Sequence, residues 1–166
     1  MSAIGLRDAA PADFASICAL NLAEVVHTSP MDEARLAVLA GLSGWFRVGC
    51  IDGEVSAFLL AMRDGVRYEN DNYQWFAARY PRFIYVDRVV VSPTCRGMGM
   101  GRLLYEELFR HARDAGIPQV ACEYNLVPPN EASRRFHDGF GFSQQGTQWL
   151  ANGSKQVSLQ VAPTTR

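Results

Sequence analysis

The stretch VVVSPTCRGMGMGRLLYEELFRHAR, Val89 to Arg113, decides the reading of this chain. A run of β-branched residues meets a proline, glycines at 97, 99 and 101 alternate with Met98 and Met100, and a charged amphipathic segment follows. That pattern is a buried strand entering a helix through a loop that is almost bare backbone. A helix N-terminus leaves its first N–H groups unpaired and carries partial positive charge. Glycines let a ligand approach with no Cβ in the way, so such a junction suits a phosphate. Two familiar versions fail here. No Gly-Lys-Ser/Thr follows, which excludes a P-loop. The spacing is not G-x-G-x-x-G and no early strand carries it, so a dinucleotide site is a poor fit.

Upstream, FIYVDRVVV, Phe83 to Val91, is apolar enough for a central strand. The helix after the glycines is expected to bury Leu104, Leu108, Ala112 and Ala115 and to stop at Gly116. QVACEY reads as the next strand, which makes a βαβ unit with parallel pairing. Asn130 is placed to cap a short helix, and two last strands close through Asn152-Gly153.

The first half reads as a strand over Ile4 to Ala9 and then a helix from Pro11, in which Asp13 complements the dipole. That helix is expected to bury Phe14, Ile17, Cys18 and Val25, with Asn21 on the same stripe. A second helix is expected to start at Ser29 as cap, with Pro30 first, Asp32 completing the capping box, and Gly41 or Gly44 ending it. A hairpin turns at Asp52-Gly53. The segment from Arg63 to Arg82 is long for a loop and holds a short helix near Tyr73 to Arg79. The order β-α-α-β-β-β-α-β-α-β-β predicts an α+β fold of the α/β three-layer type, with one mixed, mostly antiparallel twisted sheet of about seven strands and about four helices.

Composition bounds the rest. The 166 residues, 48% of them apolar, suffice for one domain spanning 1–166. Sixteen Lys and Arg against seventeen Asp and Glu leave no basic footprint for nucleic acid or an anionic membrane. No apolar run approaches the roughly 20 residues of a membrane span, and MSAIGLRDAAPADF lacks the layout of a signal peptide. Cys18, Cys50, Cys95 and Cys122 show no metal or redox spacing, so no metal is expected and free thiols in a reducing cytoplasm are.

Arg96-x-x-Gly99-x-Gly101 resembles the [Q/R]-x-x-G-x-[G/A] signature of the GNAT superfamily of acyl-CoA-dependent N-acyltransferases. Its context, a central strand, SP, the motif, a helix, a strand, then N…FHDGFGF, is similar to the family pattern over nearly the whole chain. The resemblance implies acetyl-CoA as cosubstrate. Arg96, Gly97, Met98, Gly99, Met100 and Gly101 would cradle its pyrophosphate. Backbone groups of Val89, Val90 and Val91 would hold its pantetheine and thioester oxygen, and Asn130 would contact its arm.

The chemistry needs a base for the amine and an acid for the departing thiolate. The place where relatives carry a Tyr acid is His137 here, with Tyr124 and Tyr105 as weaker substitutes. An imidazole near pKa ~6.5 can protonate a thiolate whose acid lies near ~8.5, although His137 could equally bond a carbonyl at a helix end. Glu123 or Asp87 would be the base, and an ion pair with arginine is the structural alternative for either. Tyr85 shares the face of Asp87. Asn21, Glu24 and Tyr73 lie where the family builds its acceptor site, where Glu69 and Asp71 could attract a cationic amine and Trp75 and Phe76 could wall a pocket. The bland account of that segment is a solvated loop with an aromatic plug. His27 and His111 read as structural or exposed.

The leading reading is an N-acetyltransferase acting on a small-molecule or peptide amine in a ternary complex. Its alternatives are a non-catalytic CoA-binding module and an enzyme for a longer acyl group. Homodimers are common among relatives, so a homodimer is among the partners the resemblance implies.

Overall fold

The computed structural model describes residues 3–24 and 28–165, so the expectations for Val25 and His27 lie outside the described residues. Among the described residues, seven strands form one sheet in the order β1-β2-β3-β4-β5-β7-β6, and five α-helices connect them. The strands are β1 Ile4–Asp8, β2 Trp45–Ile51, β3 Glu54–Arg63, β4 Ile84–Val91, β5 Gln119–Val127, β6 Ser143–Leu150 and β7 Lys155–Pro163. The helices are α1 Phe14–Ala23, α2 Glu33–Leu42, α3 Asp71–Ala77, α4 Met100–Asp114 and α5 Glu131–Asp138. By contacts the chain divides into two compact units, Met1–Met62 with Asp87–Leu108 and Arg63–Val86 with Phe109–Arg166.

In the first unit, β1 pairs antiparallel with β2, and β2 with β3. Asp52 (φ 51°) and Gly53 (φ 81°) take the left-handed backbone that the tight turn between β2 and β3 requires. β3 is buried from Ser56 to Met62, as befits a strand inside the sheet.

The helices of this unit correct several sequence expectations. Asp32, not Ser29, caps α2: its carboxylate accepts the Arg35 N–H at 2.7 Å. The helix therefore starts at Glu33, and it ends at Leu42 with Ser43 as its C-cap. Ser29 is used elsewhere, because its carbonyl accepts from Asn21 at 2.9 Å and from Arg88 at 3.0 Å. Asp13 stands in the first turn, as the dipole favours, and also serves an ion pair. It is buried, takes both Arg7 nitrogens at 2.7 and 2.8 Å, and accepts the Ala10 N–H. Arg7 holds its carboxyl below the usual range. On α1, Ile17 and Asn21 are buried, whereas Phe14 and Cys18 are only half-buried.

In the second unit, β4 begins parallel to β5, with Ile84 opposite Val120 and Tyr85 opposite Ala121. β5 pairs antiparallel with β7, and β7 with β6. Ala115 is exposed, contrary to the helical stripe. The chain leaves α4 at Asp114 and turns at Gly116 (φ 70°), and Ile117 fills the buried place with its N–H on the Ala112 carbonyl. β5 extends to Val127, beyond the expected end at Tyr124.

The long segment after β3 is pinned. Asn70 caps α3 by accepting the Tyr73 N–H at 3.0 Å. The Tyr73 hydroxyl donates to the Arg63 carbonyl at 2.7 Å and accepts from the Val66 N–H. Asp64 accepts the Phe83 N–H at 3.0 Å.

Behind α3, Gly146 of β6 leaves room for the Trp75 indole, to which an added Cβ would come within 2.6 Å of Cζ2. A rigid ring cannot give way as a flexible chain end does. Gly146→Ala is therefore expected to lower stability by about 1–3 kcal/mol in urea unfolding. Trp75→Leu in the same chain should recover part of that loss.

Candidate active site

The first unit carries the glycine loop. β4 ends at Val91, the Ser92 N–H donates to the Ser56 carbonyl at 2.8 Å, and Pro93–Cys95 form a 3-10 turn. Gly97 (φ 86°) and Gly99 (φ 75°) then adopt backbone that a side chain would strain, and a Cβ at either would meet nothing within 4 Å. The first bond of α4 runs from the Leu103 N–H to the Gly99 carbonyl, so the amides of Met100, Gly101 and Arg102 precede the helical ladder. Open space, bare backbone and unpaired donors together fit a phosphate group.

The two methionines face opposite ways. Met98 is exposed, whereas Met100 is buried against Gly49 of β2, where an added Cβ would collide with its thioether. Met100 thus anchors the start of α4. Val90 is buried, and Val89 and Val91 are half-buried.

Arg96 is 60% exposed and pairs with the Glu24 carboxylate just beyond α1. One turn earlier, Asn21 is fully buried and accepts from Arg88 at 3.2 Å. Asp87 has its counter-ion beside it in sequence: Arg88 Nε donates to its Oδ2 at 2.8 Å, with the two side chains 3% and 8% exposed. Arg88 escaped the sequence reading, and the signal available was an Asp-Arg pair inside an apolar strand.

The second unit holds Glu123, Tyr85 and His137. The Tyr85 hydroxyl donates to Glu123 Oε2 at 2.7 Å, which fixes the carboxylate of a half-buried residue from a fully buried ring. Tyr124, the next residue on β5, projects to the opposite face and packs against His137, with ring centroids 5.7 Å apart. Glu123 and His137 therefore belong to opposite faces of β5.

His137 is buried among Tyr124, Phe136 and Phe142, and its Nδ1 lies 2.7 Å from the Ser133 carbonyl. That carbonyl can only accept, so Nδ1 carries the proton and Nε2 is the lone-pair nitrogen of the neutral ring. Burial pushes the imidazole below its usual value. Burial likewise pushes up the Tyr124 hydroxyl and the Cys122 thiol. Tyr105 is fully buried in α4.

Asn130 caps α5 by accepting the Ser133 N–H at 3.3 Å. Tyr73 is 1% exposed and packs against Tyr68, Phe83 and Tyr85, while Glu69 and Asp71 are exposed. Among the described residues, no group of His, Cys, Asp and Glu is arranged to hold a metal ion, and no helix is long and apolar enough to cross a membrane.

The sequence profile of the Acetyltransferase (GNAT) family matches residues 15–142. The chain belongs to this family. Its sheet and helices agree with the solved folds it resembles. Ard1 from Thermoplasma volcanium superposes with a TM-score of 0.80 at 17% identity, over 99% of each chain. The yncA protein from Salmonella typhimurium, solved with its cofactor acetyl-CoA, gives 0.72 at 24% identity, over 99% of this chain and 95% of that one. A phosphinothricin N-acetyltransferase from Streptomyces coelicolor is 42% identical over 66 residues, a match spanning 36% of this chain and 33% of that relative.

The buried imidazole makes a pH prediction for this GNAT chain. Its folded pKa lies below its unfolded value, so its contribution to stability is complete above about pH 6.5 and is lost as pH falls from there through the folded pKa. Thermal unfolding should show Tm falling in that window. His137→Gln should flatten this fall, whereas the Asp13 ion pair acts only at more acid pH, below about 4.

Proposed function

We propose that the protein transfers the acetyl group of acetyl-CoA to a primary amine, and the observation that carries this reading is the left-handed Gly97 and Gly99 at the open start of α4 in a GNAT chain. Acetyl-CoA supplies a thioester whose acyl group a neutral amine takes directly in a ternary complex. The amides of Gly97 to Gly101 and the Arg96 guanidinium bind the pyrophosphate, and the backbone of Val89 to Val91 holds the arm and the thioester oxygen. Asn130 keeps its cap and offers its side chain to the arm. The family match runs through both compact units, which supports one acetyltransferase domain over 1–166.

Glu123 takes the amine proton, because Tyr85 occupies Oε2 and aims the carboxylate. Asp87, paired with Arg88, holds charge in place rather than moving protons. His137 lies on the opposite face of β5 from Glu123, and it would deliver a proton from Nε2 only after gaining one there, since Nδ1–H is committed to Ser133. Burial lowers its pKa, so that imidazolium is scarcer and a stronger acid than an ordinary one. Asn21 and Glu24 are the acceptor-side residues of the first unit, and in the second Tyr73 packs edge-on against Tyr85. The acceptor is a small-molecule or peptide amine, with the acidic α3 segment favouring a cationic one. Four free cysteines support a cytoplasmic setting.

The commitment of Nδ1 to a carbonyl also favours a second reading, a CoA-binding module without turnover. Thiol release from acetyl-CoA across a panel of amino acids, polyamines and peptide N-termini separates the two. Turnover with at least one amine, and a kcat about 100-fold lower in Glu123→Gln with little change in KM for acetyl-CoA, is the expected result. CoA binding with no release for any amine would leave the module.

A further inference from the structure

Two arginines bind the end of α1 to the cofactor strand and loop. Asn21 and Glu24 lie three residues apart on one face of the chain around the end of α1. Asn21 accepts from Arg88 of β4, and Glu24 pairs with Arg96 of the glycine loop. The two arginines differ in exposure. Arg88 is almost fully buried and makes three hydrogen bonds, to Asp87, Asn21 and Ser29, so it is a fixed member of the fold. Arg96 is 60% exposed, and its partner Glu24 is 18% exposed. An ion pair so open to water is worth only about 0–1 kcal/mol and can be exchanged.

We propose that Glu24 is a built-in competitor for the cofactor phosphate: it occupies Arg96 in the free protein and yields it when a pyrophosphate settles on the glycine loop. This rests on the cofactor reading above. A pyrophosphate brings more charge than one carboxylate, and it gains the unpaired amides at the start of α4 that Glu24 does not reach through Arg96. The exchange leaves a carboxylate without its counter-ion at the acceptor end of α1. A cationic amine is the natural replacement, so cofactor and acceptor bind with positive coupling through one residue. Glu24 is thus a positioning residue, acting on the cofactor through Arg96.

The test is a double-mutant cycle read by calorimetric titration of CoA at fixed ionic strength, with Tm and circular dichroism confirming that each variant folds. Glu24→Gln should bind CoA about three- to fivefold more tightly than wild type, the size of an exposed ion pair. Glu24→Asp keeps the charge but withdraws it by one methylene, and it should also bind more tightly. Arg96→Gln should bind more weakly, and adding Glu24→Gln to it should bring no further gain. The inference is overturned by unchanged or weaker binding in Glu24→Gln, by an equal gain in the Arg96→Gln background, or by a gain in Glu24→Gln that Glu24→Asp lacks. The last two would mark bulk charge instead of competition for Arg96. Wild type giving no binding heat would instead remove the cofactor reading itself.

Discussion

The start of α4 imposes the constraint on which the rest depends. A helix that begins directly after a sheet strand must leave several N–H groups without helical partners, and here the chain keeps them uncovered instead of capping them with a side chain. Gly97 and Gly99 take left-handed backbone so that the path clears open space, and Met100 plugs into the gap that Gly49 leaves on β2. The bare donors and the anchored helix are two halves of one arrangement. Flexible glycines alone would leave the donors unaimed, and a buried first residue alone would leave no approach to them.

The second theme is how buried charge is kept. Asp87 sits in an apolar strand and is held by Arg88, which is itself satisfied by Asn21 and the Ser29 carbonyl. In that network Arg88 binds a carboxylate, an amide oxygen and a carbonyl at once. Glu123 is different, because a neutral hydroxyl holds one of its oxygens and the side chain is only half-buried. His137 sits in a third condition, neutral among aromatic rings with one nitrogen given to a carbonyl. The three candidates that the sequence offers, Glu123 or Asp87 as base and His137 as acid, thus stand in three different environments.

What was legible in the sequence was what local backbone requirements dictate. Asp52-Gly53, the glycine loop and the Asn130 cap stand where their residue types predict, because each feature is decided within a few residues. The βαβ unit followed from the apolar run before the loop. What was not legible depended on partners outside each local pattern. Ser29 lies three residues before the Asp32 cap of α2, and its carbonyl serves Arg88, 59 residues away. Tyr73 lies in the core because its hydroxyl satisfies Arg63 and Val66 and its ring meets Phe83 and Tyr85. Ala115 lost its buried place to Ile117, a residue beyond the helix that the periodic pattern does not reach. The Glu24 to Arg96 pair spans 72 residues and has no local signature.

The central claim is that the bare backbone at residues 97–101 receives the phosphates of CoA, and calorimetric titration of CoA into wild type and Gly99→Val tests it most directly. A valine at φ 75° both strains the loop and fills the open space before α4. The account predicts that wild type binds and that the variant loses at least tenfold in affinity while its far-UV spectrum and cooperative unfolding persist. Equal affinity in a folded Gly99→Val protein would contradict it.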